Sequence, residues 1–317
     1  MSARVPVALF SCVMGIVGLG LAWRVAGLTW GLPTFIGEAI LAVGTCVYIA
    51  LLACYGIKLW RHTGAAVAEF LHPETVHFFP TFSIGTMLMA SAALPHAPAL
   101  AHALWSAGAA LTLALSLVIV RRWITQEYEL RQVSPTWFLA VVGNIVAPVA
   151  GVPMGHTELS WMFFGIGILF WVPLFTVVLL RLIFHGALPS HLRPTMVILI
   201  GPPAIGFTAY VGLLGEVDAF ARVLFYGAGF VALLLASMSR AFVAPRFSAS
   251  WWAFTFPLDA LALACSHYQL HSGRDAFGIA ALVILALATV VVLAVGILTV
   301  RGLLRGTLWP PSSELLA

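Results

Sequence analysis

Few side chains in this 317-residue sequence could do chemistry inside its apolar stretches. Asp259 is the one acid deep in such a run, with Asn144 as a neutral polar companion; Glu38, Glu216, Asp218, Arg24 and Arg222 stand near the ends of runs. His267 and His271 have the i, i+4 spacing that can put two imidazoles on one metal ion, but no third ligand stands near them. His62, His72 and His77 fall among Glu69 and Glu74 in a connection, so both histidine groups read as interfacial polar residues and neither metal nor cofactor is expected. Cys12, Cys46, Cys54 and Cys265 lie within apolar runs, the setting of small buried residues rather than of disulfides or a zinc motif. HExxH, GxSxG and paired carboxylates are absent, which argues against an enzyme. Charge inside a membrane usually marks a pathway or proton relay, and its scarcity leaves a passage lined by small, aromatic and backbone groups. Such a lining suits weakly held anions, drawn by half-helix N-termini and freed backbone groups rather than by fixed cations.

The elements that must position these groups follow from composition. The chain is 62% apolar and 8% charged, whereas soluble domains average about half and a quarter, so lipid is the expected solvent. No polar segment is long enough to fold by itself, and residues 1–317 read as one transmembrane domain. A bilayer core needs about 20 apolar residues per helix. Qualifying runs centre near Gly15, Cys46, Gly85, Leu111, Asn144, Leu169, Ile205, Gly229, Pro257 and Leu287, giving an all-α membrane protein of ten transmembrane helices. The first run, from Val5 to about Ala26, follows Arg4 as a signal peptide would, but it lacks a small-x-small cleavage site and reads as the first span. Of the fifteen Lys and Arg, twelve (Arg4, Lys58, Arg61, Arg121, Arg122, Arg131, Arg181, Arg193, Arg240, Arg246, Arg301 and Arg305) collect on one side and only Arg24, Arg222 and Arg274 on the other. That bias puts both termini in the cytoplasm of a cell inner (plasma) membrane. The net charge of +4 is spread singly and in pairs, so lipid and small anions, not nucleic acid, are the expected partners.

Odd spans carry helix breakers: Pro80 in the third, Pro148 in the fifth, Pro202 and Pro203 in the seventh, Pro257 in the ninth, and Gly15, Gly18 and Gly20 in the first. Among even spans only the sixth has an interior proline, Pro173. A freed backbone carbonyl cannot be satisfied by hydrocarbon and must face protein or a water-lined cavity. The expectation is therefore five helical hairpins, with an inner ring of five broken helices around a central pore and the smooth even helices outside. Gly15, Gly18, Phe82, Gly85, Asn144, Ala147, Ile205 and Pro257 are the pore-lining candidates.

The ninth span holds the densest signal, Trp251-Trp252-Ala253-Phe254-Thr255-Phe256-Pro257-Leu258-Asp259. Together with FPTFSIGTMLMA (Phe79 to Ala90), PTWFLAVVGNIVAPVAG (Pro135 to Gly151), PTMVILIGPPAIGFTAY (Pro194 to Tyr210) and GLGLAWR (Gly18 to Arg24), it resembles the tellurite-resistance/dicarboxylate transporter family. That family includes bacterial anion channels, fungal malate transporters and plant slow anion channels. The resemblance implies ten helices with the odd ones enclosing a pore, one pore per protomer of a homotrimer, and a phenylalanine plug on the ninth helix, which the FTFP match puts at Phe256. A gated channel or uniporter for small anions, chloride or nitrate-like, is the function so implied. The alternative is a coupled exporter of tellurite-like oxyanions or of C4-dicarboxylates such as malate. Carriers usually need cationic or strongly polar groups at mid-membrane, and Asn144 and Asp259 alone are available, which favours the channel. Asp259 departs from the family, whose positions after FP are mostly apolar or small. It lies about 60° around the helix from Phe256, where burial favours the neutral acid, and so is a candidate pH sensor.

Overall fold

Proline placement accounts for much of the local structure. The computed structural model describes residues 5–242 and 247–306, and every regular element among them is helical. Arg4 and Arg246 of the charge count lie outside the described residues. In chain order the α-helices are α1 (Phe10–Trp30), α2 (Thr34–Arg61), α3 (Thr63–Leu71), α4 (Pro80–Ala93), α5 (Pro98–Thr125), α6 (Trp137–Val141), α7 (Ala147–Gly151), α8 (Thr157–Phe184), α9 (Gly201–Leu214), α10 (Ala219–Ser237), α11 (Ser239–Phe242), α12 (Thr255–Ser272) and α13 (Asp275–Leu304).

All five odd spans contain a tighter 3-10 stretch: Val7–Leu9 before α1, Thr75–Phe78 before α4, Val142–Val146 between α6 and α7, Arg193–Ile200 before α9 and Ala249–Phe254 before α12. Pro80, Pro148 and Pro202 occupy the first two positions of the α-helical part, and Pro203 and Pro257 are the third residues of α9 and α12. First-turn N–H groups have no intrahelical acceptor, so a proline there sacrifices no hydrogen bond and its fixed φ starts the helix. The expected breaks are thus junctions where a 3-10 turn hands over to an α-helix. Pro173, by contrast, lies inside α8.

Eight helices among the described residues are long and apolar enough to cross a membrane. The fifth expected span falls on the shorter apolar stretch Trp137–Gly151, and the ninth on α12, outside that set. Burial separates two groups. In the first, third and seventh spans 72%, 78% and 78% of the most apolar window is buried, against 22–39% in α2, α5, α8, α10 and α13. Large apolar side chains such as Phe35, Leu117, Leu169 and Phe230 cover the outer faces of the exposed helices. A surface of that kind is stable against lipid, whereas in water it would drive aggregation.

The buried segments pack in a closed circuit: α1 on α4 and α12, α12 on α9, α9 on α7 and residues 142–146, and α7 on α4. Each exposed helix lies against a buried neighbour, α2 on α1, α5 on α4, α8 on α7, α10 on α9 and α13 on α12. Glycines permit the closest approaches: a Cβ on Gly15 would overlap Thr255 Oγ1, and one on Gly167 would overlap Ile145.

Ion pairs fasten the two ends. Arg24 grips Glu38 through Nε and Nη2 at 2.8 and 3.0 Å and also donates to the carbonyls of Ser91 and Ala92. At the other end α3 folds back so that Glu69 meets Lys58 at 2.6 Å, with the Tyr55 hydroxyl and the Val7 N–H also donating to its carboxylate. Lys58 completes the knot by donating to the Val5 carbonyl at 2.9 Å.

Candidate functional site

Each of the five buried segments contributes to one small apolar pocket of about 60 Å³. Met14 of α1, Ile84 of α4, Val146 before α7, Ile205 of α9 and Phe256 of α12 face it together with Pro257. The convergence has a local cause: the 3-10 stretches and first α-turns of the segments meet there, and their small or β-branched residues let five backbones approach. Ser11, Thr81 and Ser250 are its hydroxyl-bearing residues, and each hydroxyl is committed to a carbonyl, those of Ala8, Phe78 and His191 respectively. No Lys, Arg, His, Asp or Glu lines it. Such an apolar lining offers water and ions no hydrogen-bonding partner beyond these committed hydroxyls.

Phe256 is half-buried at this cavity, and the edge of its ring meets α1 at Gly18. A Cβ on Gly18 would come within 3.2 Å of Phe256 Cδ2 and 2.9 Å of Asp259 Oδ2. The missing side chain of Gly18 therefore makes the niche into which the ring and the carboxylate both fit. Asp259 is fully buried, and neither carboxylate oxygen has a hydrogen-bond partner.

Of the candidate lining residues, Ile205 and Pro257 face the cavity beside Phe256. Gly15 sits against Thr255 and Gly85 against Val13, at contacts between α1 and its neighbours. Phe82 turns toward α1 and α2, edge-on to Phe10 and stacked with Tyr48. Asn144 points toward α5, its Nδ2 donating to Ser116 Oγ at 2.8 Å and to the Val141 carbonyl, while its Oδ1 is left without a partner. The Ala147 carbonyl accepts from Trp105 Nε1. Gly15, Phe82, Gly85, Asn144 and Ala147 thus make contacts between helices, and the cavity's apolar ring of Met14, Ile84, Val142 and Val146 was not singled out, because such residues carry no distinguishing type.

His77 corrects the reading of the loop histidines as interfacial. It is fully buried in a stack with Trp123 and Trp137, and Trp123 Nε1 donates to its Nε2 at 3.1 Å. Its place directly before Phe78-Phe79-Pro80, where the buried third span begins, was the available signal. His271 Nδ1 lies 2.8 Å from the His267 carbonyl. Among the described residues no three His, Cys, Asp or Glu side chains gather as metal ligands.

A chain that is helical throughout its described residues, with apolar helices long enough to cross a membrane and buried helices converging on an apolar pocket, has the build of a channel or transporter. Residues 4–300 match the family described as voltage-dependent anion channel, and the chain belongs to it. It is 27% identical to the S-type anion channel SLAH3 of Arabidopsis thaliana over 94% of this chain and 48% of that protein. The guard cell S-type anion channel SLAC1 of the same plant is 23% identical over 84% of this chain and 50% of the relative. To the tellurite resistance protein TehA homolog of Haemophilus influenzae it is 27% identical over 81% of this chain and 79% of that protein. The chain spans about half the length of the plant channels named here. The resemblance to tellurite-resistance proteins drawn from the motifs is thereby met, and the family's description and its plant members name anion channels.

Proposed function

We propose that this chain is a gated channel for small inorganic anions such as chloride or nitrate, with Phe256 as the plug of a pore enclosed by the five odd spans of ten. The observation that carries the reading is the apolar pocket of about 60 Å³ to which all five buried segments contribute and which Phe256 borders. Conduction then requires the ring to swing off Gly18 and the cavity to widen and wet, the usual behaviour of a hydrophobic gate. The absence of a fixed cation at the cavity agrees with fast, weakly selective passage, because a strongly held anion would leave slowly. Gly15, Gly18 and Gly85 serve the route as places where helices close up, while Asn144, Ala147 and Phe82 hold the ring's outer contacts. Both termini face the cytoplasm of the plasma membrane, and three protomers associate, each with its own pore.

Asp259 adds pH dependence to this gate. Ring and carboxylate share the Gly18 niche, so a displaced ring admits water to Asp259, and protonation of the acid becomes linked to the open and closed states. Asp259→Asn flattens the pH profile of anion flux; an unchanged profile removes Asp259 from the mechanism.

The test is the purified chain in liposomes, assayed for chloride, nitrate, malate and tellurite movement under an imposed potential. Chloride or nitrate currents without a coupled ion support the channel. Transport of malate or tellurite that saturates, needs a proton gradient and carries no large current would replace it with the exporter reading.

A further inference from the structure

A second concavity lies on the outer surface, between α8 and α10, with the Arg193–Ile200 turn and α9 as its floor, and its volume is about 750 Å³. Its walls are apolar, chiefly Trp171, Phe175 and Leu179 from α8 and Phe230 and Leu234 from α10. One charged residue lines it, Arg193, at the end formed by the 186–188 loop. Arg193 spends one nitrogen, Nε, on the Leu188 carbonyl at 3.2 Å. Its Nη1 and Nη2 have no protein hydrogen bond or ion pair among the described residues, and no acid lines the groove. The loop at that end is held by buried Arg181, whose Nη1 donates to the Gly186 carbonyl at 2.5 Å. Midway along, Gly227 leaves open space where a side chain would stand: a Cβ there meets no atom within 4 Å.

We propose that this groove holds one anionic phospholipid, an acyl chain lying along α8 and α10 and the headgroup phosphate bound by Arg193. The proposal rests on the reading of the chain as membrane-spanning with its arginine-rich side in the cytoplasm, where anionic lipids give basic pockets between helices their ligands. The groove runs along α8 from Trp171 to Ile183, about 18 Å at ~1.5 Å per residue, a length that accommodates an extended acyl chain. Charge excludes a neutral chain as sufficient, because a guanidinium fork left without an acceptor at an apolar boundary is costly, and a phosphate is matched to it by geometry and charge.

The experiment is native mass spectrometry of the full-length protein released from nanodiscs containing equal phosphatidylglycerol and phosphatidylcholine of the same acyl chains. Wild type is expected to retain one phosphatidylglycerol per chain in preference to phosphatidylcholine. Gly227→Leu, whose Cβ would meet no atom within 4 Å, puts a side chain into the groove and loses that lipid. Arg193→Gln lowers the preference for phosphatidylglycerol about fivefold while the groove still admits a neutral lipid, and this variant decides the matter if Gly227→Leu does not fold. Equal retention of the two lipids by wild type overturns the proposal. So does a Gly227→Leu protein that keeps its phosphatidylglycerol, or one that loses only its oligomeric state, which would make the groove a contact between copies. Lipid retention is read without anion flux, so a failure of the channel reading leaves this result interpretable.

Discussion

Truncating the plug, Phe256→Ala, raises basal anion flux about tenfold. Swinging a phenylalanine ring out of an apolar site costs about 1.5–3 kcal/mol when burial is complete, and Phe256 is half-buried, so its displacement costs on the order of 1–1.5 kcal/mol. Removing that cost shifts the closed-to-open equilibrium by about a factor of ten, since ~1.4 kcal/mol is tenfold. The gain stops short of full opening because the enlarged space remains apolar: Met14, Ile84, Val146 and Ile205 still surround it, and apolar cavities of ~150 Å³ do not fill with water spontaneously. Adding Val146→Ser to Phe256→Ala therefore increases flux further, by helping the space to wet. The assay is chloride efflux from proteoliposomes with reconstituted protein quantified, and the control is Phe35→Ala, a ring 71% exposed on the outer face of α2. Flux in Phe256→Ala within twofold of wild type, in protein that elutes as a single folded species, refutes the gate. Equal stimulation by Phe35→Ala refutes it too, because loosened helix packing would then be the cause.

Gly15→Ala pushes a methyl into Thr255 Oγ1 and to within 2.6 Å of its Cβ and destabilises by about 1–3 kcal/mol; Thr255→Ala removes the nearer obstacle but keeps the Cβ, and the double variant recovers only part of the thermal midpoint in detergent. Lys58→Met leaves the Glu69 carboxylate buried without its cation and costs about 3–5 kcal/mol. Adding Glu69→Leu recovers much of that loss in the same melting assay, an outcome that a merely steric role for Lys58 would not give. Glu74 is held below the usual carboxylate range by its hydrogen bond to His191, 2.8 Å away. A lowered folded pKa stabilises above the unfolded value and is lost as pH falls through the folded one. Glu74→Gln accordingly lowers the melting point at neutral pH and flattens its decline on acidification below about pH 4, whereas a parallel shift of the whole curve would assign Glu74 no titrating role.

How far the sequence could be read depended on the scale of the signal. Helical class and membrane setting came from sums over twenty residues, and such sums survive local error. The division into buried and exposed spans was legible because prolines and glycines recur in alternate runs, and hydrocarbon penalises the backbone groups they free. What the prolines do locally was less accessible. Pro80, Pro148, Pro202 and Pro203 begin helices instead of interrupting them, and that distinction depends on a 3-10 turn whose hydropathy is the same as that of an α-turn. The candidate site was legible at its centre, where a specific motif contains Phe256, and obscure around it. A sequence cannot say which side of a buried helix looks inward when nearly every side is apolar, and α1 and α9 together carry one charged residue, Arg24 near the end of α1.

Gly18 and Asp259 make the same point from the other direction. Each is individually unremarkable in type, and they stand 241 positions apart in the chain, yet the absent side chain of one admits the carboxylate and the ring edge of α12. The close fit binds two events that a sequence presents separately, motion of an aromatic plug and hydration of an acid. A gate whose resting position also seals an unpartnered carboxylate cannot move without changing that acid's solvation. In the proposed mechanism, coupling of pH to opening requires no separate sensor domain, because α1 and α12 lie close enough at Gly18 that an added Cβ would crowd both the ring and the carboxylate.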